Sequence, residues 1–308
     1  MSKTGVIFSG QGAQFAGMGK DLAAAHAEAA ALFRQADELL HNGFQEVCFN
    51  GPAETLTDTS YCQPALFVHG LSLLAVLQKA RPDWRFQAAA GLSLGEFTAH
   101  TAAGHFRFAD GLQLVATRGR LMQEACRQTR GGMLSLIGAT AEQAQALAAA
   151  TDLEVANYNC PGQIVLSGAA DRIAAAAEQG KALGLKRALP LNVAGAYHSR
   201  LMLSAQEGLR PALDGVTVSA STVAVYSNVT GKRVIGNTEI KDTLLRQVTG
   251  SVRWQDCVEE MIRDGVTQFI ELGPGKVLAG MCKRINPDIP VVSIGSLDEL
   301  IAAAPAIP

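Results

Sequence analysis

The sequence predicts an α/β fold in which a hydrolase-like large domain with a parallel-sheet core carries an inserted ferredoxin-like small subdomain. Three observations lead there. Toward both ends of the chain, short apolar runs alternate with longer segments of helical spacing, the pattern of strands joined by crossover helices. Residues 129–196 instead read β-α-β-β-α-β, the ferredoxin-like order, between two stretches of the larger pattern. A Gly-x-Ser-x-Gly sequence also sits where an apolar run meets a helical one. The expected division is 1–128 and 197–308 for the large domain and 129–196 for the small one.

In chain order, Gly5–Ser9 is a short β-like run ahead of the glycine-rich GQGAQFAGMG. Asp21–Leu40, rich in alanine, reads as one helical region and Gln63–Gln78 as another. Phe86–Ala90 is a buried strand that runs into GLSLGEFTAHTAAG. Phe108–Gln128 has helical spacing, with Leu112, Val115, Gly119 and Met122 on one side. The texture changes near Thr129. Met133–Ile137 reads as a strand, Ala141–Ala150 as a helix, and Leu153–Asn159 and Gln163–Ser167 as strands about a Cys-Pro-Gly turn. Ala169–Gly184 is helical and Ala188–Val193 a strand. A strand at Thr222–Ser227, a helix at Trp254–Arg263, a strand at Gln268–Glu271 and a Gly-Pro-Gly turn into a helix complete the pattern.

Composition removes several classes of function. Of 308 residues, 48% are hydrophobic and 18% charged, which suits a well-buried globular chain rather than a disordered one. Basic and acidic residues number 26 and 28, a net charge of −2, so the basic excess of a nucleic-acid binder is missing. Ala65–Leu77 is the most membrane-like stretch. It is broken by His69, Gly70 and Ser72 and is shorter than the roughly 20 residues needed to span a bilayer. The N-terminus lacks the apolar run of a signal peptide. The six cysteines are scattered, with no Cys-x-x-Cys or Cys/His cluster. The expectation is a cytoplasmic, freestanding monomer with reduced thiols, no metal or cofactor, and neither nucleic acid nor membrane as a partner.

Gly91-Leu92-Ser93-Leu94-Gly95 has the context of a nucleophile elbow. Small residues on either side permit a tight strand-to-helix turn that lifts the hydroxyl out of the sheet. The Leu94 N–H then points into the same space and can meet an oxyanion, with the helix N-terminus adding a favourable dipole. Such a serine needs a base. His26, His41 and His69 precede it; His100, His105 and His198 follow. His100 points along the elbow helix, His105 lies in a loop and His69 in an apolar helix. His198, in GAYHSRLM, lies at the seam where the small subdomain returns to the large one, and such seams favour sites. Arg118 shares a helical face with Val115 and Met122; it either snorkels or aims its fork into a pocket to hold a carboxylate.

Taken together, these segments resemble the malonyl-CoA:acyl carrier protein transacylase family over essentially the whole chain. FSGQGAQFAGMG is similar to that family's opening loop, GLSLGEFTA to its serine elbow and ATRGRLMQEA to its arginine helix. NYNCPGQIVLSG, GAYHSRLM, RQVTGSVRW and ELGPGKVLAGMCKRI follow in the family's order. The resemblance implies that Ser93 is acylated, that His198 is its base, and that the Gln247 backbone carbonyl orients the imidazole in place of a carboxylate. It implies an oxyanion hole from the N–H groups of Gln11 and Leu94. Arg118 would pair with the malonyl carboxylate, with Met122 beside it and Asn159 supporting the pocket from the small subdomain. The implied reaction is ping-pong transfer from malonyl-CoA to the phosphopantetheine thiol of acyl carrier protein, for fatty acid synthesis. Many members have His before the nucleophile; Leu92 stands there in this chain, which bears on acyl selectivity rather than on the reaction. Tyr197 in GAYH, where Phe is frequent, resembles the malonyl-selective type. An acidic carrier would need a local basic patch, and Lys276, Lys283 and Arg284 lie close in sequence.

Three rival readings share some of these features. An α/β-hydrolase also uses Gly-x-Ser-x-Gly but wants its histidine near the C-terminus, whereas none follows His198 here. A patatin-like Ser-Asp hydrolase would release free malonate. A catalytically silent carrier-binding scaffold would not need Ser93, His198 and Arg118. Polyketide synthesis and a malonate decarboxylase are alternative destinations for the malonyl unit.

Overall fold

The computed structural model describes residues 3–41, 43–182, 185 and 187–307. Among these residues the strands form two sheets. The strands are β1 (Lys3–Phe8), β2 (Ala88–Gly91), β3 (Gly131–Ile137), β4 (Glu154–Cys160), β5 (Gln163–Ala169), β6 (Arg187–Pro190), β7 (Ala224–Val225), β8 (Val266–Leu272) and β9 (Val291–Ile294). The first sheet is parallel, in the order β7-β2-β1-β8-β9. The second is antiparallel, in the order β4-β5-β3-β6, with helices Ala141–Ala150 and Ala170–Ala182 in its two crossovers. The fold is thus the expected parallel-sheet core with a ferredoxin-like unit inserted between its strands.

The parallel sheet reads as apolar runs because helices cover both faces. Val6 and Phe8 of β1 face one cluster, with Phe67, Phe97 and Leu112; Ile7 faces the other, with Trp254, Met261 and Phe269. The central helix, Thr59–Ala80, has the length and hydropathy of a membrane span, yet most of it is buried in the protein interior. In the antiparallel sheet the period of two sorts the side chains. Leu134, Leu136, Ile164 and Leu166 pack on that unit's own helices, while Met133 and Val165 turn the other way, onto a cavity shared with the large domain.

Several boundaries differ from expectation. Extended backbone at His26 divides the expected Asp21–Leu40 region into helices Lys20–Ala25 and Ala27–Leu40. The expected Gln63–Gln78 helix extends to Thr59–Ala80. The strand expected at Thr222–Ser227 shrinks to two residues; beyond it the Tyr226 N–H still bonds the Ala89 carbonyl, and Tyr226 forms an isolated bridge with Arg233. β6 stops at Pro190 rather than Val193. The helix expected over Ala169–Gly184 is Ala170–Ala182, and Gly184 lies outside the described residues. Helices Phe44–Asn50, Leu203–Gly215, Asn237–Arg246 and Leu297–Ala303, and strand β9, were not anticipated.

The elbow is the tightest point of the large sheet. β1 and β2 run in register to Phe8↔Gly91, and the Leu92 N–H then bonds the Phe8 carbonyl at 3.1 Å. A Cβ on Gly91 would lie 2.0 Å from the Gly95 carbonyl group, and one on Gly95 would lie 2.4 Å from the Phe8 oxygen. Both contacts are with backbone, which cannot step aside. Gly91→Ala is therefore expected to cost about 3 kcal/mol or more in denaturant unfolding. Gly215→Ala, at a helix end with nothing within 4 Å, should stay within about 1 kcal/mol of the parent. A Gly91→Ala protein as stable as the parent would contradict this packing.

Candidate active site

Ser93 occupies the turn between β2 and the helix Leu94–Ala102, with φ 55° and ψ −109°. His198 also has a positive φ, 58°. Positive φ is costly for residues with a Cβ, so these two backbones are held by their surroundings. For Ser93 the holder is Asn228. Its Oδ1 accepts from the Ser93 N–H at 2.7 Å, and its Nδ2 donates to the Gly91 carbonyl at 2.9 Å. From the other side, Gln247 Nε2 donates to the Ser93 carbonyl at 2.8 Å.

Ser93 Oγ lies 2.8 Å from His198 Nε2. His198 Nδ1 lies 2.9 Å from the backbone carbonyl of Gln247, at the C-terminal end of the Asn237–Arg246 helix. A carbonyl can only accept, so Nδ1 carries the proton and Nε2 presents its lone pair to the serine hydroxyl. Burial, aided by the nearby Arg118 charge, lowers the His198 pKa to about 4 against the pull of the Gln247 bond. The imidazole is therefore a neutral base at neutral pH.

Arg118, on the Phe108–Gln128 helix, is 1% exposed. Its Nη2 donates to Ser93 Oγ at 3.0 Å and to Gln247 Oε1 at 2.9 Å, and its Nη1 donates to Gln63 Oε1 at 2.7 Å. Burial lowers its pKa to about 10, with the Glu96 charge opposing, so it remains a cation at neutral pH. Glu96, one turn beyond Ser93, is fully buried. Its Oε2 accepts from Gln247 Nε2 at 2.7 Å and from the Asn228 N–H at 3.1 Å. Burial raises this carboxyl to about 7, against the hydrogen bonds from Gln247 and Asn228 and the charge of Arg118.

A cavity of about 660 Å³ opens onto Ser93 and His198. Gln11, Leu92, Leu94, Met122, Asn159 and Tyr197 contribute to its wall. The structure thus brings the sequence-named Ser93, His198, Gln247, Arg118, Gln11, Leu94, Met122 and Asn159 to one place. Asn159, on β4, leaves its buried Oδ1 without a partner. Arg118 is not at the wall, as a fork aimed into a pocket would be; it stands behind Ser93 and Gln63, both of which are. The helix Val277–Ile285 reaches the cavity through Val277 and Met281. Of the basic residues named with it, Lys276 pairs with Glu299 at 3.2 Å, Arg284 donates to the Pro161 carbonyl, and Lys283 is exposed in the last turn. The rejected histidines have other partners or places. His100 and His105 share an Nδ1···Nδ1 contact of 2.9 Å, and His69 is buried in the central helix. Among the described residues no cluster of three His, Cys, Asp or Glu could hold a metal ion.

Gln63, Glu96 and Asn228 were missed by sequence reasoning. Glu96 had a local signal, since one helical turn beyond the nucleophile puts it on the elbow's inner face. Asn228, 135 residues from Ser93, and Gln63, 55 from Arg118, had none.

Residues 6–291 match the family model of the acyl transferase domain. A malonyl CoA-acyl carrier protein transacylase of Bacillus subtilis is 40% identical over 304 residues, covering 96% of this chain and 94% of its own. The structure of an acyl-carrier-protein S-malonyltransferase from Bartonella henselae superposes with a TM-score of 0.94 at 34% identity, over 99% of both chains. A malonyl-transacylase solved in complex with a type II PKS acyl-carrier protein superposes with a TM-score of 0.93 at 34% identity, over 99% of this chain and 100% of its own.

Asn228→Ala would leave the Ser93 N–H and the Gly91 carbonyl buried and unpaired. It is expected to cost about 2–4 kcal/mol in denaturant unfolding and to slow reaction of Ser93 with a sulfonyl fluoride, because the strained turn relaxes. An unchanged rate of sulfonylation would show that the clamp does not set the nucleophile.

Proposed function

The chain belongs to the acyl transferase family, among the malonyl-CoA:acyl carrier protein transacylases, and on that footing we propose that Ser93 carries the malonyl group between two thiols. The protein transfers malonyl from malonyl-CoA to the phosphopantetheine thiol of acyl carrier protein, supplying fatty acid synthesis. The observation that carries the residue roles is the 3.0 Å contact between Arg118 Nη2 and Ser93 Oγ, which sets a buried cation beside the atom that receives the acyl group. Such a cation rewards an acyl chain that brings its own carboxylate.

Ser93 Oγ attacks the thioester carbonyl while His198 Nε2 takes its proton. The tetrahedral oxyanion is met by the backbone N–H groups of Leu94 and Gln11, each worth about 2.7–4 kcal/mol in comparable acyl-transfer sites. Collapse breaks the C–S bond, and CoA leaves as a thiol with the proton from His198. Acylation turns Oγ into an ester and frees Nη2 of Arg118 for the carboxylate on the same acyl group. The carrier's phosphopantetheine thiol then enters, gives its proton to His198 and takes the malonyl group, restoring the serine. Met122 and Asn159 shape the acyl end of the cavity. The same proposal has the enzyme working as a monomer in the cytoplasm, with no cofactor beyond its substrates and with domains divided at 128/129 and 196/197.

Mass spectrometry after malonyl-CoA treatment should place one malonyl group on the Ser93 peptide, and Ser93→Ala should remove it. A label on a cysteine, or none, would sink the assignment. Arg118→Ala should cut malonyl transfer about 100-fold or more while sparing acetyl transfer, because only the malonyl carboxylate is then buried unpaired. Equal loss of both would make Arg118 merely structural.

The acidic carrier is proposed to dock against Lys276, Lys283 and Arg284, beside the Val277–Ile285 helix that reaches the cavity. Lys283→Glu should raise the KM for carrier protein at low salt and spare that for malonyl-CoA. Unchanged carrier kinetics would count against this surface.

A further inference from the structure

Nη1 of Arg118 is held by Gln63 Oε1 at 2.7 Å. Gln63 projects from the central helix, is 1% exposed, and stands at the cavity wall where Arg118 does not. An arginine can only donate, so the amide oxygen is the atom that faces it. The other end of the amide, Nε2, faces the Met122 sulfur at 3.6 Å, a weak acceptor that holds the side chain loosely. A carboxylate approaching from the cavity therefore meets Gln63 before it meets Nη1.

We propose that Gln63 is a specificity-determining residue of this site: its amide oxygen holds Nη1 of Arg118 in the empty enzyme and yields it to the carboxylate of the malonyl group. The proposal rests on the malonyl reading above. Two-point binding of a carboxylate on the Nη1–Nη2 edge needs an N–H from each nitrogen, and Gln63 occupies one on Nη1. The bond to the neutral amide is assisted by one charge only, whereas a carboxylate adds direct charge–charge attraction and a bidentate fit, so the exchange runs toward substrate. An uncharged acyl group offers nothing to exchange, and Gln63 stays across the path to the arginine. The amide oxygen thus pairs Nη1 of the buried cation when the site is empty, while Nε has no partner, and admits the acyl groups that can replace it.

The test uses the full chain with Gln63→Glu and Gln63→Met, scored by kcat and KM for transfer from malonyl-CoA and from acetyl-CoA. In Gln63→Glu a permanent carboxylate takes Nη1, so kcat/KM for malonyl-CoA should fall about 100-fold, chiefly through KM, while acetyl transfer stays within about threefold. In Gln63→Met, of similar length but without the oxygen, KM for malonyl-CoA should fall about threefold and acetyl transfer should not change. Parallel loss of both activities in Gln63→Glu, or malonyl transfer within about threefold of the parent, would overturn the proposal. So would a raised malonyl KM in Gln63→Met, which also decides the matter if Gln63→Glu does not fold. The parent and Arg118→Ala are run alongside. If the parent's Ser93 takes no malonyl group, or Arg118→Ala loses acetyl and malonyl transfer equally, the malonyl reading fails. If both controls behave as expected and the Gln63 variants do not, only the role of Gln63 falls.

Discussion

The site depends on holding Ser93 in a backbone conformation that a serine resists. At φ 55° the turn costs about 1–3 kcal/mol by itself, and it persists only because its neighbours over-determine it. Asn228 pins the N–H, Gln247 pins the carbonyl, and backbone packs so closely at Gly91 and Gly95 that neither has space for a Cβ. The same Gln247 residue supplies the carbonyl for His198 and the amide oxygen for Arg118. Three segments far apart in the chain therefore converge on one residue, and the geometry of Ser93, His198 and Arg118 is set as a unit.

The electrostatics follow from burial. A backbone carbonyl orients His198 without adding a negative charge. A carboxylate in its place would compete with a malonyl carboxylate for the cation beside Ser93. The carboxyl that does lie in the network, Glu96, is raised to about 7 by burial, which favours its neutral form. With a pKa of about 4, His198 is neutral at neutral pH and its Nε2 is free to accept a proton from Ser93.

The cavity depends on the insertion. One face of the antiparallel sheet serves its own helices and the other, through Met133, Val165 and Asn159, closes over Ser93. The sheet is tied in place by the segment just beyond Gln247: Val252 exchanges backbone bonds with Ala156 and Tyr158 of β4 at 2.8 and 2.9 Å. The stretch that orients the histidine thus also fixes the roof of the site.

The sequence by itself determined what local chemistry encodes. Apolar period and glycine spacing marked the elbow, because a strand-turn-helix with close backbone approach needs those residues in that order. The β-α-β-β-α-β order marked the insertion for the same local reason, the Phe108–Gln128 helix was legible to the residue, and a helix was legible near Trp254–Arg263. The roles of Gln247, Gln11 and Asn159 were suggested by family resemblance alone, since a backbone carbonyl or N–H has no side-chain signature. Tertiary structure alone decided that Asn228 clamps Ser93 across 135 residues, that Glu96 and Gln247 share a buried hydrogen bond, and that Gln63 stands between Arg118 and the cavity. A hydrogen bond between distant segments leaves no periodicity in either of them. It exists only once packing has removed water from both partners and left each with no other group to satisfy it.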